Sequence, residues 1–264
     1  MRSKALILLA ITVIAGFAQH AKAAINLGTA GNFAVLAGTT VTNTGTSVID
    51  GGDVGVSPGS AIVGFPPGVL MPPFTTHFAD SIALQAQTDL TSAYNAAAVL
   101  SPTLTLTGTD LGGLTLTPGV YFFASSAALT GVLTLDNQAN PNAEFVFQIG
   151  TTLTTAGSSS VVTINGGPIL GTNVFWQVGS SATLGTYTAF QGHILADQSI
   201  TLTTGATMLD GSALARNGAV TLDTNNILNA VPEPATTSLA LLGGGLLGVG
   251  ALGKRLRERR LRST

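Results

Sequence analysis

The stretch from residue 183 to residue 224 reads TLGTYTAFQGHILADQSITLTTGATMLDGSALARNGAVTLDT. Within it a Thr-Leu-x-Thr unit begins at Thr183, Thr201 and Thr221, in steps of 18 and 20 residues. A second register follows the first, because Gln191-Gly192-His193-Ile194-Leu195-Ala196 matches Asp210-Gly211-Ser212-Ala213-Leu214-Ala215. A repeat of about 20 residues built from short strands predicts a β-helix with three strands per coil.

The repeat extends towards the N-terminus. Thr152-Leu153-Thr154-Thr155 belongs to the same set, and Val41-Thr42-Asn43-Thr44 is a further candidate. Clean alternation in Leu104-Thr105-Leu106-Thr107 and Leu114-Thr115-Leu116-Thr117 predicts half-buried strands with the Thr side outward. Because a single coil cannot bury its own apolar side, stacked coils are expected to place four leucines in one interior column: Leu153, Leu184, Leu202 and Leu222.

Residues 80–100 depart from the repeat. Small and apolar side chains recur there at three- or four-residue steps, which predicts an amphipathic helix that packs closely against a sheet. Asp80 or Ser81 is the expected N-cap, and Pro102 is expected to end the helix. The predicted apolar stripe consists of Ile82, Ala86, Leu90, Ala93 and Ala97.

The charges exclude one class of function. Between residues 24 and 230 the chain has ten acidic side chains and a single basic one, Arg216. A domain with this balance has no basic stripe to neutralise phosphates, so nucleic acid is not an expected partner. The chain has no cysteine, which excludes disulfides, thiolate metal sites and cysteine nucleophiles.

Residues 1–23 have the three features of a secretory signal peptide. Arg2 and Lys4 precede an apolar run from Ala5 to Phe17, and Ala21-Lys22-Ala23 fits a signal peptidase site. The mature chain is therefore expected to begin at Ala24. The alternative is a buried N-terminal strand or helix.

The C-terminal segment, residues 231–264, has a different order of features. Val231, Pro232, Glu233 and Pro234 precede an uncharged run over residues 235–253 that is long enough to span a membrane, and a basic cluster follows. This order resembles the PEP-CTERM sorting signal. The resemblance implies export across the inner membrane of a Gram-negative bacterium and transient anchoring by the span. An exosortase-type protease would then release the chain to the cell surface or to the extracellular polysaccharide. The alternative is an ordinary C-terminal anchor.

Catalytic and metal-binding patterns are weak. Outside the signal peptide only His77 and His193 remain, and neither lies in a motif with ligand spacing. Asp50-Gly51-Gly52-Asp53 lacks the repeated acids of calcium-binding solenoids. No acidic pair stands out for glycoside hydrolysis. We therefore expect no catalytic residue, no metal, no cofactor and no enzymatic activity.

Motifs along residues 25–228 resemble those of the microbial ice-binding family, often called the DUF3494 domain. They begin with Ile25-Asn26-Leu27-Gly28-Thr29-Ala30-Gly31-Asn32-Phe33-Ala34-Val35-Leu36-Ala37 and Gly52-Asp53-Val54-Gly55-Val56-Ser57-Pro58-Gly59. After the helix come Leu116-Thr117-Pro118-Gly119-Val120-Tyr121, Phe145-Val146-Phe147-Gln148-Ile149 and Asn173-Val174-Phe175-Trp176-Gln177-Val178-Gly179. The resemblance implies an all-β fold with one long helix. This fold is a discontinuous right-handed β-helix of triangular section, with the α-helix packed alongside, over residues 24–230.

The resemblance also implies that one flat face binds ice, and in some members a short T-A/G-x-T/N motif is associated with that face. Thr204-Gly205-Ala206-Thr207 fits the motif, and Thr155-Ala156-Gly157-Ser158 fits it with Ser at the last position. Strand alternation after the buried leucines should turn the following hydroxyls outward together. The residues predicted to share this exposed face are Thr155, Ser158, Thr186, Thr188, Thr204, Thr207 and Thr224, with Thr44 and Thr46 as further candidates.

Two functions compete at this point. The first is an exported ice-binding (antifreeze) protein that adsorbs to an ice surface and inhibits recrystallisation. The second is a structural or adhesive protein of the extracellular polysaccharide matrix, in which Thr merely reflects its high β-propensity. A flat and continuous Thr face favours ice, whereas a face interrupted by Tyr187 and Phe190 favours adhesion.

Overall fold

The computed structural model describes residues 25–140, 142–166 and 173–229. These residues form three parallel β-sheets, here called A, B and C, around one apolar core, with a single α-helix outside sheet A. Successive strands of the chain visit the sheets in the order A, B, C, except in the coil after the helix, where the strand Leu104–Thr105 of sheet A is followed directly by Thr115–Leu116 of sheet C. Each circuit is one coil of a solenoid with three corners, A–B, B–C and C–A.

The strands are short and stack in three columns. In spatial order sheet A contains β7 (Thr76–Phe78), β4 (Asp53–Val56), β1 (Phe33–Ala37), β22 (Ala213–Ala215), β19 (His193–Ala196), β16 (Val174–Val178), β13 (Phe145–Ile149), β10 (Gly119–Phe123) and β8 (Leu104–Thr105). Sheet B contains β11 (Ala127–Leu129), β14 (Leu153–Thr155), β17 (Ala182–Leu184), β20 (Ile200–Leu202), β23 (Val220–Leu222), β2 (Thr40–Asn43) and β5 (Ala61–Val63). Sheet C contains β6 (Val69–Leu70), β3 (Val48–Asp50), β24 (Asn226–Leu228), β21 (Thr207–Leu209), β18 (Ala189–Gln191), β15 (Ser160–Ile164), β12 (Val132–Asp136) and β9 (Thr115–Leu116).

The solenoid is discontinuous in sequence. Strand β1 lies between β22 and β4, so the first strands of the domain stack beneath its last coil. The chain therefore builds one end of the solenoid, crosses its whole length through the helix, and returns coil by coil. The predicted fold class, a discontinuous right-handed β-helix of triangular section with an α-helix packed alongside, is confirmed.

Helix α1 (Ser81–Ala98) lies within the predicted range and covers the outer side of sheet A. Asp80 is its N-cap, because the Asp80 carboxylate accepts a hydrogen bond of 2.8 Å from the Ala83 N–H. The predicted stripe is wrong at Ile82, whose side chain is 51% exposed, since the buried position is taken by Ala83. A small side chain there lets the first turn approach the sheet, and Ile82, one residue earlier, points about 100° away from it.

The predicted interior column is wrong at one position. Leu184, Leu202 and Leu222 do stack in sheet B, but Leu153 pairs with Ala182 and so lies in the neighbouring column. The residue that occupies the leucine column in β14 is Thr155. The coil between β14 and β17 is longer than the later ones, and the strand register shifts by two residues across it. This shift cannot be predicted from the sequence, because local alternation does not show which residues pair between strands.

Among the described residues no helix has the length and apolar character needed to cross a membrane. The predicted signal peptide, residues 1–23, and the predicted span, residues 235–253, lie outside the described residues.

Candidate functional site

The outer side of sheet B carries a continuous column of threonines. Thr154 pairs with Thr183, Thr183 with Thr201, Thr201 with Thr221, and Thr221 with Thr42. Thr154 is exposed and the other four are partly exposed. We call these five residues the threonine ladder; Ala128 precedes it and Val63 follows it in the same column.

The ladder follows from strand alternation around a buried core. On β20, Ile200 and Leu202 are fully buried, and Thr201 between them must therefore face outward. The same pattern holds on β17 and β23. Neighbouring strands lie ~4.8 Å apart, and a β-branched side chain keeps one χ1 rotamer, so the ladder is a regular and stiff row of hydroxyls and methyls.

A second row runs beside the ladder, two residues earlier on each coil. The backbone register continues through these positions, since the N–H groups of Leu153, Ala182 and Ile200 donate to the carbonyls of Ser181, Ser199 and Ala219. Residues two apart on a strand face the same side, ~6.6 Å apart. The second row is partly exposed and consists of Thr152, Ser181, Ser199, Ala219 and Thr40. Together the two rows form a grid of small side chains without a charged group.

Most of the predicted site residues lie at one edge of this grid, in the turns of the B–C corner. Ser158, Thr186, Thr204 and Thr224 are exposed there, as are Thr44 and Thr46. The turns stack with backbone hydrogen bonds from the Ser158 N–H to the Thr186 carbonyl, 2.9 Å, and from the Tyr187 N–H to the Thr204 carbonyl, 3.1 Å. The structure therefore brings these residues together, but in a corner and not on the flat sheet.

Two of the predicted site residues are buried, which corrects the expectation that all seven share an exposed face. Thr155 is 3% exposed and Thr188 is fully buried, and their hydroxyl oxygens are 2.7 Å apart. The Thr155 hydroxyl also accepts a 2.8 Å hydrogen bond from the Gly185 N–H, and the Thr188 hydroxyl donates to the Ala156 carbonyl. These hydroxyls satisfy backbone groups inside the corner and do not face solvent.

Thr207 is partly exposed but begins β21 and faces outward from sheet C, on the far side of the corner. Three of the five ladder residues that the sequence-based prediction missed stand immediately before a buried leucine, in Thr183-Leu184, Thr201-Leu202 and Thr221-Leu222, whereas Thr154 precedes Thr155 and Thr42 precedes Asn43. For these three residues the signal was present in the sequence, on the other side of the leucine; for Thr154 and Thr42 it was not.

The two aromatic residues expected to interrupt the face do not interrupt the ladder. Phe190 is 1% exposed and its ring packs inside the core against Trp176, with ring centroids 4.9 Å apart. Tyr187 is 67% exposed, but it lies in the B–C corner beside Gly205, outside both rows. The ladder is therefore continuous over five strands.

The histidines have structural surroundings. His77 Nδ1 lies 2.7 Å from the Asp80 carboxylate at the start of α1 and Nε2 lies 3.5 Å from Asp53, while its ring contacts Phe33 edge-on. His193 is buried, with Nδ1 2.8 Å from the Ser212 hydroxyl. In the part of the chain that the structure describes, no group of three His, Cys, Asp or Glu side chains is arranged to hold a metal ion.

The carboxylates with lowered pKa values also serve the fold. The pKa of Asp89 is lowered by hydrogen bonds from the Thr29 hydroxyl and the Thr29 N–H, which tie α1 to the N-terminal segment. The pKa of Asp80 is lowered by the N–H of Ala83 and by His77. None of these groups lies in the ladder or in the second row.

Comparison with known proteins places these features in a family. Residues 35–228 match the family described as Ice-binding-like, and residues 230–260 match the PEP-CTERM protein-sorting motif, which indicates export and sorting. A protein of Nostoc sp. (strain HG1) named Ice-binding protein is 57% identical over 265 residues, which cover 96% of each chain.

Two solved structures have the same fold. The crystal structure of an ice-binding protein from the Antarctic ascomycete Antarctomyces psychrotrophicus matches with a TM-score of 0.74 and 42% identity, covering 79% of this chain and 100% of that one. An ice binding protein from an Antarctic biological consortium matches with a TM-score of 0.74 and 47% identity, covering 85% of this chain and 96% of that one. With the family match spanning most of the solenoid, the chain belongs to the ice-binding-like family.

Proposed function

We propose that this chain is an exported ice-binding protein that adsorbs to ice through the threonine ladder and the row beside it. The observation that carries the proposal is the unbroken pairing of Thr154, Thr183, Thr201, Thr221 and Thr42 on one exposed sheet. The relatives named as ice-binding proteins support the same function.

The ladder suits an ice surface for three physical reasons. Its rows repeat at ~4.8 Å across strands and ~6.6 Å along them, so hydroxyls and methyls form a two-dimensional lattice. Thr is stiff at χ1, so little side-chain freedom is lost when the lattice binds. The two rows contain only Thr, Ser and Ala, and charges that would hold disordered hydration water are absent from them.

The exposed corner residues Ser158, Thr186, Thr204 and Thr224 form the margin of this surface in the proposal. Their turns lie beside the ladder, and the Thr204 hydroxyl donates to the Asp223 carboxylate, which orients it. Adsorbed protein would slow ice growth and recrystallisation around the cell. The chain acts by adsorption and not as an enzyme in this proposal.

The competing function is a structural or adhesive role in the extracellular polysaccharide without ice activity. That role predicts a face interrupted by Tyr187 and Phe190. Phe190 is buried, and the exposed Tyr187 lies among the predicted corner residues but outside the ladder. The uninterrupted column favours ice as the partner. Exopolysaccharide remains a second candidate partner because the sorting motif directs the chain outside the cell.

We also propose the route of export. A signal peptidase removes residues 1–23, the span over residues 235–253 holds the chain transiently in the inner membrane, and an exosortase-type protease acts near Val231-Pro232-Glu233-Pro234. The support is the match of residues 230–260 to the sorting motif. Intact-mass measurement of the exported protein tests both cuts, and a mature form that retained Ala5 to Phe17 would contradict the first.

The function is tested on purified residues 24–230 by measuring thermal hysteresis and ice recrystallisation inhibition. We expect both activities from the domain without any added cofactor or metal. The same measurements in the presence of EDTA should be unchanged. Absence of both activities in the folded wild-type domain would overturn the proposal and favour the matrix role.

A further inference from the structure

The outer side of sheet C carries more than half of the exposed large apolar side chains in the part of the chain that the structure describes. The outer side of sheet B has one of them, Val63, on its last strand. Strand pairing brings those of sheet C together, since Leu209 pairs with Leu228 and Val48 with Val69. We call the outer side of sheet C the apolar face. Six of its side chains are between 37% and 48% exposed: Val48, Val69, Val132, Val162, Leu209 and Leu228.

The charges around this face narrow the choice of what covers it. Exposed apolar patches of more than a few hundred Å² usually mark an interaction site. The face carries two carboxylates, Asp50 and Asp136, and no basic side chain, since Arg216 lies beside Tyr94 on α1. The domain around it has ten acidic side chains and one basic one over residues 24–230. An anionic lipid surface would therefore repel this domain.

The apolar face has a small column and a large column of side chains. Outward residues stand two apart on each strand, so each strand contributes one residue to each column. Ala189 precedes Gln191 on β18, and Thr207 precedes Leu209 on β21, and these pairs stack directly upon each other. The strands on either side, β15 and β24, repeat the order of a smaller and then a larger residue with Ser160 before Val162 and Asn226 before Leu228.

We propose that the apolar face binds the same face of a second copy of this chain, about a two-fold axis that runs along the sheet between the two columns. Such an axis exchanges the columns, so the large column of each copy lies over the small column of the other. Leu209 then packs over Thr207 of the second copy, and Val162 over Ser160. Side chains of two facing sheets interdigitate in this way when the sheets lie ~10 Å apart.

The size of the face is sufficient for a stable pair. Eight strands at ~4.8 Å spacing give a length of about 34 Å, with two outward residues on most strands. The exposed side chains offer roughly 700 Å² per copy, so a pair would bury about 1,400 Å² in total, within the ~1,200–2,000 Å² of specific interfaces.

The pairing leaves the threonine ladder uncovered, because sheet B is a different side of the triangle. A two-fold rotation reverses every direction perpendicular to its axis. Since the ladder faces outward from the solenoid axis, the ladders of the two copies point in opposite directions. A flat ice surface can therefore contact only one ladder of each pair. The inference adds a partner at another surface and does not depend on the proposed ice-binding function.

The association is tested on residues 24–230. The Antarctomyces structure is matched over its whole length, so a chain of this extent forms the fold. Sedimentation velocity from ~1 to ~100 μM should show a dimer, and Leu209→Lys should weaken it at least about 100-fold, because each interface would then bury two unpaired charges. The matched control is Leu84→Lys, the same change on the exposed side of α1, which should leave association unchanged. A melting curve confirms that each variant folds, and Leu228→Lys replaces Leu209→Lys if that variant does not.

The interface is located by cross-linking, because the chain has no cysteine of its own. A short bis-maleimide should join two copies of Thr207→Cys and should not join copies of Thr201→Cys, whose ladders point apart. A wild-type domain that stays monomeric over the whole range would overturn the inference, as would equal weakening by the two lysine variants. Binding of that monomer to phosphatidylcholine vesicles, lost in Leu209→Lys, would assign the face to lipid instead. Thermal hysteresis of the monomeric Leu209→Lys should equal that of wild type per copy, which separates this inference from the ice-binding function.

Discussion

Sheets B and C are built in the same way but present different outer surfaces. Both are stacks of short parallel strands, both cover the same core, and both leave their outer sides open to solvent. In sheet B the central column contains five successive threonines. The column that pairs across sheet C, in spatial order, is Val132, Ser160, Ala189, Thr207, Asn226 and Val48.

This difference bears on why threonine is abundant here. If Thr only reflected its preference for strands, the two exposed sheets should carry it equally, because their strand geometry is the same. The compared column of sheet C contains a single Thr, and the residue type in this column changes from strand to strand. Strand preference by itself does not account for this concentration of Thr in one column of sheet B.

Replacing a ladder residue should abolish ice activity. Thr201→Tyr places a bulky ring in the centre of the grid, so we expect loss of thermal hysteresis, while the free energy of unfolding changes by under ~0.5 kcal/mol because the site is at the surface. The matched control is Thr134→Tyr, which makes the same change at an outward position of sheet C. Hysteresis and a melting curve are measured for each variant. Equal loss in the two variants would contradict a ladder-specific surface.

Corner variants should have a smaller effect. Thr186→Tyr and Thr204→Tyr change exposed residues at the margin of the grid, where a ring can turn away from the flat rows. We expect partial loss of hysteresis, with stability again within ~0.5 kcal/mol of wild type. If either variant loses more activity than Thr201→Tyr, the B–C corner is the main ice-binding surface and the ladder is secondary.

Substitutions of two adjacent threonines on β14, one exposed and one buried, should differ in their effect on stability. Thr155→Val leaves the partly buried Gly185 N–H without its acceptor and removes the buried contact with the Thr188 hydroxyl, so we expect a loss of about 1–3 kcal/mol of stability. For a domain of this size each kcal/mol lowers Tm by ~2–4 °C. Thr154→Val, one residue earlier and exposed, should be nearly neutral in stability. Equal Tm values for the two variants would show that the corner hydroxyls are not important to the fold.

The smallest expected effect concerns pH. The Thr29 hydroxyl and N–H hold the pKa of Asp89 below its usual value near 3.9, so this carboxylate contributes stability above that pH and loses it as pH falls through the lower folded value. The Tm of Asp89→Asn should therefore lie below that of wild type at pH 7, and the difference should shrink below about pH 4. The ladder has no ionisable group, so hysteresis should not change over the pH range in which the domain stays folded. A Tm difference that does not depend on pH would contradict this role for Asp89.

The sequence by itself determined that the chain is a β-solenoid with one helix. The period of 18 and 20 residues, the alternation of Thr with Leu and the helical spacing over residues 80–100 are local signals, and each predicted the element that the structure contains. The N-cap at Asp80 and the stacking of Leu184, Leu202 and Leu222 followed from the same signals. Local patterns suffice for these features because alternation and capping depend only on residues close in the chain.

Tertiary structure alone decided which hydroxyls face solvent and which face the core. Leu153 is separated from its partner Ala182 by a coil of 29 residues, and no local pattern shows that the register slips by two there. Thr155 consequently occupies an interior position that the next coils fill with leucine, and Thr188 turns inward to meet it. The helix phase was settled in the same way, since contact with sheet A buries Ala83 and leaves Ile82 outside. Side-chain direction in a solenoid depends on pairing between distant coils, and that pairing is set by packing of the whole core.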